Sequence, residues 1–335
     1  MSGVAFEQLR RNGPNIVLGR AGLDLYAEPV GASVEEADTF RAALGGSSAN
    51  IAVALVKAGR AAKLVTRVAD DAIGRRCRLE LERYGVDAAH VRPVEGRAAR
   101  DARNSLGVIT TRVEGFQSTI YRNGAADFLM DRADVDAVTL DGAAALTLTG
   151  TVMAAEPSRS AASHAIERAR EAGVPVVFDV DYRPYSWASA NEARTVLGAV
   201  VEASTLVVGN DEEWEWLAGA EPTYSGGASD MGAALARARE AATERVVVFK
   251  RGAAGSTTLA DGAEFDVPAF RVEAIKPIGA GDAFLGTMLA AIQNGNDLEP
   301  AVRRGSAAAA ITVSRFGCAP AIPLPDEIDR FLSER

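Results

Sequence analysis

The chain has 335 residues, 48% hydrophobic and 24% charged, the make-up of a soluble globular protein long enough for a large α/β core. Its formal net charge of −9 excludes a general nucleic-acid or anionic-membrane binder, yet leaves room for a small anionic substrate held by local cations. Two cysteines, Cys77 and Cys318, are too few for a disulfide framework and lack metal-type spacing, and with only His90 and His164 the chain is a poor basis for histidine acid–base chemistry.

Residues 1–15 lack the apolar core of a signal peptide and no run approaches a membrane span, which fits a cytoplasmic protein. Residues 15–19 read as a short buried strand ending in glycine. Residues 23–30 and 39–44 are short extended runs suited to a small sheet outside the main core. Gly45-Gly46-Ser47-Ser48-Ala49-Asn50 then leads into an apolar helix over 51–58. The glycine pair permits close backbone approach, and Ser47 or Ser48 can cap. A strand at 63–68 and a charged amphipathic helix over 70–84 follow. Residues 105–112 and 118–122 suggest a hairpin turning at Gly115.

From residue 145 the pattern becomes regular. Strands at 145–149, 175–180, 206–208 and 245–249 alternate with helices at 157–172, 191–202, 211–218 and 230–242; His164, in the first of these helices, is placed at the surface. Val176-Val177-Phe178 and Val246-Val247-Val248-Phe249 are continuous apolar runs, as expected of strands covered on both faces. The alternation predicts a mostly parallel, doubly wound sheet. A late hairpin (255–260, 263–267) precedes helices at 280–294, 298–313 and 326–333. The expectation is one α/β domain over 1–335, with a small β layer from the first 125 residues.

Before the 280–294 helix lies Lys276-Pro277-Ile278-Gly279-Ala280-Gly281-Asp282-Ala283-Phe284. Two glycines around an alanine let amides converge at a helix N-terminus, a ready anion site. A carboxylate there opposes simple anion storage. Asp282 makes sense if the phosphoryl group leaves and Asp282 takes a proton from the attacking hydroxyl; otherwise it is an ordinary helix cap.

With these pieces in order, residues 16–323 resemble the ribokinase-like, or phosphofructokinase-B, family of carbohydrate kinases. Asp24 matches that family's first-strand aspartate, and Gly45, Gly46 and Asn50 its Gly-Gly-x-x-x-Asn pattern. Asn210 and Glu213 match its Asn-x-x-Glu, and Gly279 to Asp282 its Gly-Ala-Gly-Asp signature. The segments Gly19 to Tyr26, Tyr121 to Asp127, Phe178 to Pro184 and Ser314 to Pro320 resemble more closely the branch acting on 5-dehydro-2-deoxygluconate in myo-inositol breakdown. Kinases of 2-keto-3-deoxygluconate share parts of two of them. Three positions depart from common family residues: Lys276-Pro277 stands for Asp-Thr, although lysine is common in the inositol branch, Ala69 for glycine and Ser306 for asparagine.

The resemblance implies a three-layer α/β/α fold with a β-sheet lid from about 23–44 and 105–122, and a homodimer formed through that lid. It implies transfer from ATP, with Mg²⁺, to the primary hydroxyl of the sugar acid, giving the 6-phosphate. Asp282 is then the base, with the amides of Gly279, Ala280 and Gly281 stabilising the transferred group. Asp24, Gly45, Gly46 and Asn50 would bind sugar hydroxyls, Asn50 being alternatively a buried polar group at a helix start. Arg122 and Arg183 would meet the substrate carboxylate with bidentate forks, or else form surface salt bridges; Arg20 and Lys276 are further candidates for that charge. Glu213, acting through metal-bound water, and Asn210 fit the magnesium and phosphate region. Lys250, Gly252 and Gly255 fit the ribose and adenine loop, with Lys250 alternatively a solvated strand end. Trp214 and Trp216 are read as packing residues. A kinase for 2-keto-3-deoxygluconate or a neutral sugar, and a non-catalytic sugar sensor, are the competing readings. No Walker-type P-loop and no Gly-x-Gly-x-x-Gly after a strand is present.

Overall fold

The computed structural model describes residues 4–221 and 230–335. Its strands are β1 (Asn15–Leu18), β2 (Gly22–Glu28), β3 (Thr39–Gly45), β4 (Ala62–Val68), β5 (Val91–Pro93), β6 (Leu106–Ile109), β7 (Ser118–Tyr121), β8 (Ala145–Thr149), β9 (Val176–Asp179), β10 (Leu206–Asn210), β11 (Val246–Lys250), β12 (Ser256–Ala260) and β13 (Ala263–Val267). Nine of them form one sheet in the order β13-β12-β11-β10-β9-β8-β1-β4-β5. The run from β5 to β11 is parallel, and β12 and β13 are added antiparallel.

The side-chain period of two explains the layers. Val17, Val177, Val208, Val246 and Val248 face the layer holding the helices Ser47–Lys57, Ala280–Gln293 and Leu298–Val313. Their chain neighbours Ile16, Leu18, Phe178, Val207 and Val247 face the helices Ser158–Glu171, Ala190–Ala203, Asp211–Leu217 and Met231–Ala241. Both faces are covered, as the unbroken apolar runs predict. Because the central strands are parallel, Asp179, Asn210 and Lys250 all fall at one carboxyl edge, where open α/β sheets place their sites.

The second sheet has the order β3-β2-β6-β7, with β2 and β6 parallel and the outer pairs antiparallel. Its Tyr26, Ala43 and Ile109 pack with Cys318, Ile278 and Phe316, which sets it over the start of the Ala280–Gln293 helix. The predicted hairpin is β6–β7. Three readings change. The helix expected at 51 begins at Ser47, because the turn is made by Gly46 at φ +99° and the small polar residues after it are already helical. Strand β5, unforeseen, has only three residues and therefore no readable alternation. His164, expected at the surface, is half-buried, with Nε2 2.8 Å from Asp136 Oδ1. Among the described residues no helix is long and apolar enough to cross a membrane.

Candidate active site

A cleft of about 590 Å³ opens between the carboxyl edge of the main sheet and the small sheet. Its floor is the Gly279–Gly281 loop. Gly279 has φ +85°, and a β-carbon there would lie 2.7 Å from Cys318 Sγ, so both conformation and space demand glycine. The Ala280–Gln293 helix that follows has no side-chain cap, which leaves its first-turn amides free for a ligand. Asp282 lies in that first turn and accepts a hydrogen bond from Asn50 Nδ2 at 2.8 Å. The two signature segments, 232 residues apart, thus meet in one contact. Burial, reinforced by nearby Asp181, pushes the Asp282 carboxyl up to about 7, against the pull of the Asn50 bond. A base must be ionised to act. With Mg-ATP, kcat/KM is therefore expected to fall about tenfold per pH unit below about pH 7. A profile flat from pH 8 to 5.5 contradicts Asp282 as the base.

On the sugar side, Asp24, Gly46 and Asn50 line the cleft. Asp24 is buried and accepts from the Tyr26 hydroxyl at 3.3 Å. Burial raises its carboxyl, opposed by Arg20, Tyr26 and Lys276. Gly45 does not line the cleft but lies behind Asp24, where a β-carbon would come within 2.2 Å of the Asp24 carboxyl carbon. Its role is to let that carboxylate lie against β3.

Three arginines line the same cleft in different states. Arg122 is buried, with Nε and Nη2 both donating to Asp127 Oδ2, Nη1 donating to Thr151 O at 2.9 Å, and Phe128 beneath its plane. It is no surface salt bridge, but one edge of its fork is already filled by Asp127. Arg183 is half-exposed and pairs with Asp181 Oδ1 at 2.6 Å. Asp181, at φ +35°, also accepts from Ser47 Oγ at 2.8 Å. Arg20 gives Nη1 to Ser105 Oγ at 3.4 Å, and its buried Nε has no partner among the described residues.

Asn210 and Glu213 close a reciprocal cap on the Asp211–Leu217 helix: Glu213 N donates to Asn210 Oδ1, and Glu213 Oε2 accepts from Asn210 N, each at 2.8 Å. Glu213 Oε1 accepts from Tyr182 N at 3.1 Å, so this carboxylate braces the end of β10 to the loop after β9. Burial pushes the Glu213 carboxyl up to about 7, with Lys250 pulling it down and Asp179 raising it further. Lys250 is not a solvated strand end: it is half-buried, with Nζ 3.6 Å from Asp179 Oδ1. Trp214 and Trp216 are buried, and Tyr182 stacks on Trp216 at 3.8 Å between ring centres.

A second, apolar cavity of about 370 Å³ includes Gly252, Gly255, Phe270 and Ala309 in its lining. Lys250, Pro277, Ala280 and Gly281 belong to both cavities, so the two meet at the segment that precedes and opens the Ala280–Gln293 helix.

The pfkB family carbohydrate kinase model matches residues 14–325. The chain belongs to the pfkB family of carbohydrate kinases. It is 37% identical over 323 residues to the 5-dehydro-2-deoxygluconokinase of Photobacterium profundum, covering 96% of this chain and 95% of that protein. It is 33% identical over 321 residues to the protein of the same name from Shouchella clausii, covering 96% and 95%. Among solved structures, a fructokinase double mutant from Vibrio cholerae O395, bound to fructose, ADP and potassium ion, superposes with a TM-score of 0.82 at 23% identity, covering 96% of this chain and 99% of that one. That likeness shows the fold.

In this carbohydrate kinase the residues that sequence reasoning missed are Ser47, Asp179 and Asp181. The Asp-x-Asp spacing lay within the segment that carried Arg183. Its meaning depends on the turn after β9, which points Asp181 back to the Ser47 helix.

Proposed function

We propose that this carbohydrate kinase transfers the γ-phosphoryl group of ATP to the primary hydroxyl of 5-dehydro-2-deoxy-D-gluconate, giving the 6-phosphate, in the cytoplasm and as a step of myo-inositol breakdown. The observation that carries the reading is the meeting of an apolar cavity and a polar cleft at Gly279–Gly281. A nucleotide base suits the first, a polyhydroxy acid the second, and the shared loop is where a phosphoryl group would pass between them.

In this reading Asp282 removes the hydroxyl proton, and Asn50 fixes the carboxylate so that one oxygen faces the sugar. The loop amides receive the charge spread over the phosphoryl oxygens. Lys250, lining both cavities, steadies the phosphate chain. Asp24 and Asn50 hold sugar hydroxyls. Gly252 and Gly255 lie beside the base. Among the described residues no three His, Cys, Asp or Glu side chains form a metal cage. That fits Mg²⁺, which keeps its waters and rests on phosphates with one or two carboxylates; Asp179 and Glu213 on the cleft wall are the groups that would hold it. The ion would neutralise phosphate charge during transfer.

Arg20, Arg122 and Arg183 place three guanidinium groups on the cleft wall, two of them already paired with Asp127 and Asp181, where a sugar acid's carboxylate would find donors, and the names of the curated relatives point to the same substrate. Arg183→Ala is expected to raise KM for the sugar acid about 10- to 100-fold, the worth of a charge-assisted hydrogen bond, and to leave KM for fructose nearly unchanged. Equal effects on both sugars contradict its assignment to the carboxylate.

The whole reading is tested by ADP release with Mg-ATP against 5-dehydro-2-deoxygluconate, 2-keto-3-deoxygluconate, fructose, ribose and adenosine. A lead of tenfold or more in kcat/KM for the first is expected. A lead for another sugar replaces the substrate, and no turnover of any favours a sensor.

The small sheet, as a lid inserted into a single kinase unit, ends in β3 and β7, which expose Phe40 and Tyr121. Pairing of two lids into a homodimer would cover them. Light scattering that gives a monomer at assay concentration contradicts the dimer.

A further inference from the structure

Lys276 is fully buried, at 0% exposure, three residues before Gly279. Its Nζ donates to Ile278 O at 2.9 Å and to Thr312 O at 3.0 Å. Among the described residues no carboxylate pairs with it within 4.0 Å. The charge rests instead on main-chain carbonyls. Thr312 is the penultimate residue of the Leu298–Val313 helix, so its carbonyl belongs to the negative end of that helix dipole. Ile275 N donates to Val313 O at 2.9 Å, which ties the segment to the same helix end. Burial lowers the Lys276 ammonium from the usual lysine range, while Cys318, Asp24 and Asp282 pull the other way.

The bond to Ile278 has a geometric consequence. In a trans peptide the C=O and the following N–H point in opposite directions. Holding Ile278 O toward the ammonium therefore aims Gly279 N–H away from it, and Gly279 lines the cleft. The buried charge also stands behind amides that the proposed reaction uses for an anion. An ammonium matches a potassium ion closely in charge and size, and both bind clusters of carbonyl oxygens.

We propose that Lys276 is a built-in monovalent cation for the phosphate-binding loop, so that transfer requires no free monovalent ion. The inference rests on the phosphoryl-transfer reading, in which the loop receives charge during the reaction. Lys276 is a positioning residue: it acts on the reacting group through the loop.

The test compares wild type with Lys276→Ala and Lys276→Met in Mg-ATP, with potassium, ammonium or tetramethylammonium chloride at fixed ionic strength. Wild-type kcat is expected to change less than about twofold among the salts. Lys276→Ala is expected to lose about 10²-fold or more in kcat, the scale for removing a stabiliser of developing charge, with a smaller change in nucleotide KM. Potassium or ammonium should restore part of that loss, whereas tetramethylammonium, too large for the vacated space, should not. Lys276→Met, which keeps the stem and fills the space, should be impaired and unrescued. Wild-type activation of several-fold by potassium overturns the proposal, as does a Lys276→Ala enzyme with unchanged kcat or one that no small cation rescues. Thermal unfolding gives a readout independent of the sugar: potassium should stabilise Lys276→Ala over tetramethylammonium and leave wild type unmoved. A potassium-dependent rise for wild type is a contrary result. If 5-dehydro-2-deoxygluconate is not turned over, the substrate assignment fails by itself, and the unfolding comparison still decides the role of Lys276.

Discussion

Asp282→Asn is expected to lower kcat by about 10² to 10⁴-fold, the usual worth of a positioned general base. Sugar KM should change little, since asparagine fills the same space. Nucleotide affinity should be unchanged, because Asp282 lines the polar cleft and not the apolar cavity. The same substitution carries a stability signature whose sign follows from linkage. The Asp282 carboxyl is held at about 7 in the fold, above its ordinary value of 3.8, so the folded state binds the proton more tightly than the unfolded chain. Its stabilising contribution is full below about pH 4 and is lost as pH rises through about 7. The asparagine variant avoids that loss and should unfold at a higher temperature than wild type at pH 8, with the gap narrowing toward pH 4. Wild-type kcat in the variant contradicts the mechanism. A gap that widens in acid contradicts the assigned environment.

Arg122→Ala is expected to cost about 3–5 kcal/mol of folding stability, the scale for breaking a buried ion pair from one side. It would strand Asp127, whose side chain is only 3% exposed and whose Oδ1 already lacks a partner among the described residues. Urea unfolding measures the loss. The structural and recognition roles separate in the double variant Arg122→Met with Asp127→Leu, which removes both charges and keeps the volume. Much of the stability should return, while preference for the sugar acid over fructose in kcat/KM stays reduced. A double variant that keeps the full preference assigns carboxylate reading to Arg20 and Arg183 alone.

The parts of the molecule legible in the sequence are those that repeat or punctuate. Apolar runs such as Val246 to Phe249 gave the covered strands, and Gly279 to Asp282 and Gly45 to Asn50 marked two helix starts. That the second start meets the first, through Asn50 and Asp282, is tertiary information that neither segment contains. The arginines show a different limit. The sequence placed Arg122 near the cleft, but its commitment to Asp127 follows from the short turn after β7. Glu213 likewise carries a motif position, yet its two oxygens accept from the backbone of Asn210 and Tyr182. Lys276 read as a further candidate for the substrate carboxylate, whereas its ammonium is buried on the carbonyls of Ile278 and Thr312, and burial of a single lysine leaves no mark on periodicity. The fold followed from pattern; pairing within the site followed from how loops close over the sheet edge.

The proposed chemistry is phosphoryl transfer across the Gly279–Gly281 loop to a primary hydroxyl held at Asp282. Its most direct test is phosphorus and carbon NMR of the product formed from Mg-ATP and 5-dehydro-2-deoxygluconate. One equivalent of ADP and a single phosphate ester on the terminal carbon are expected. ADP formed without a sugar phosphate, or an ester at a secondary hydroxyl, contradicts it.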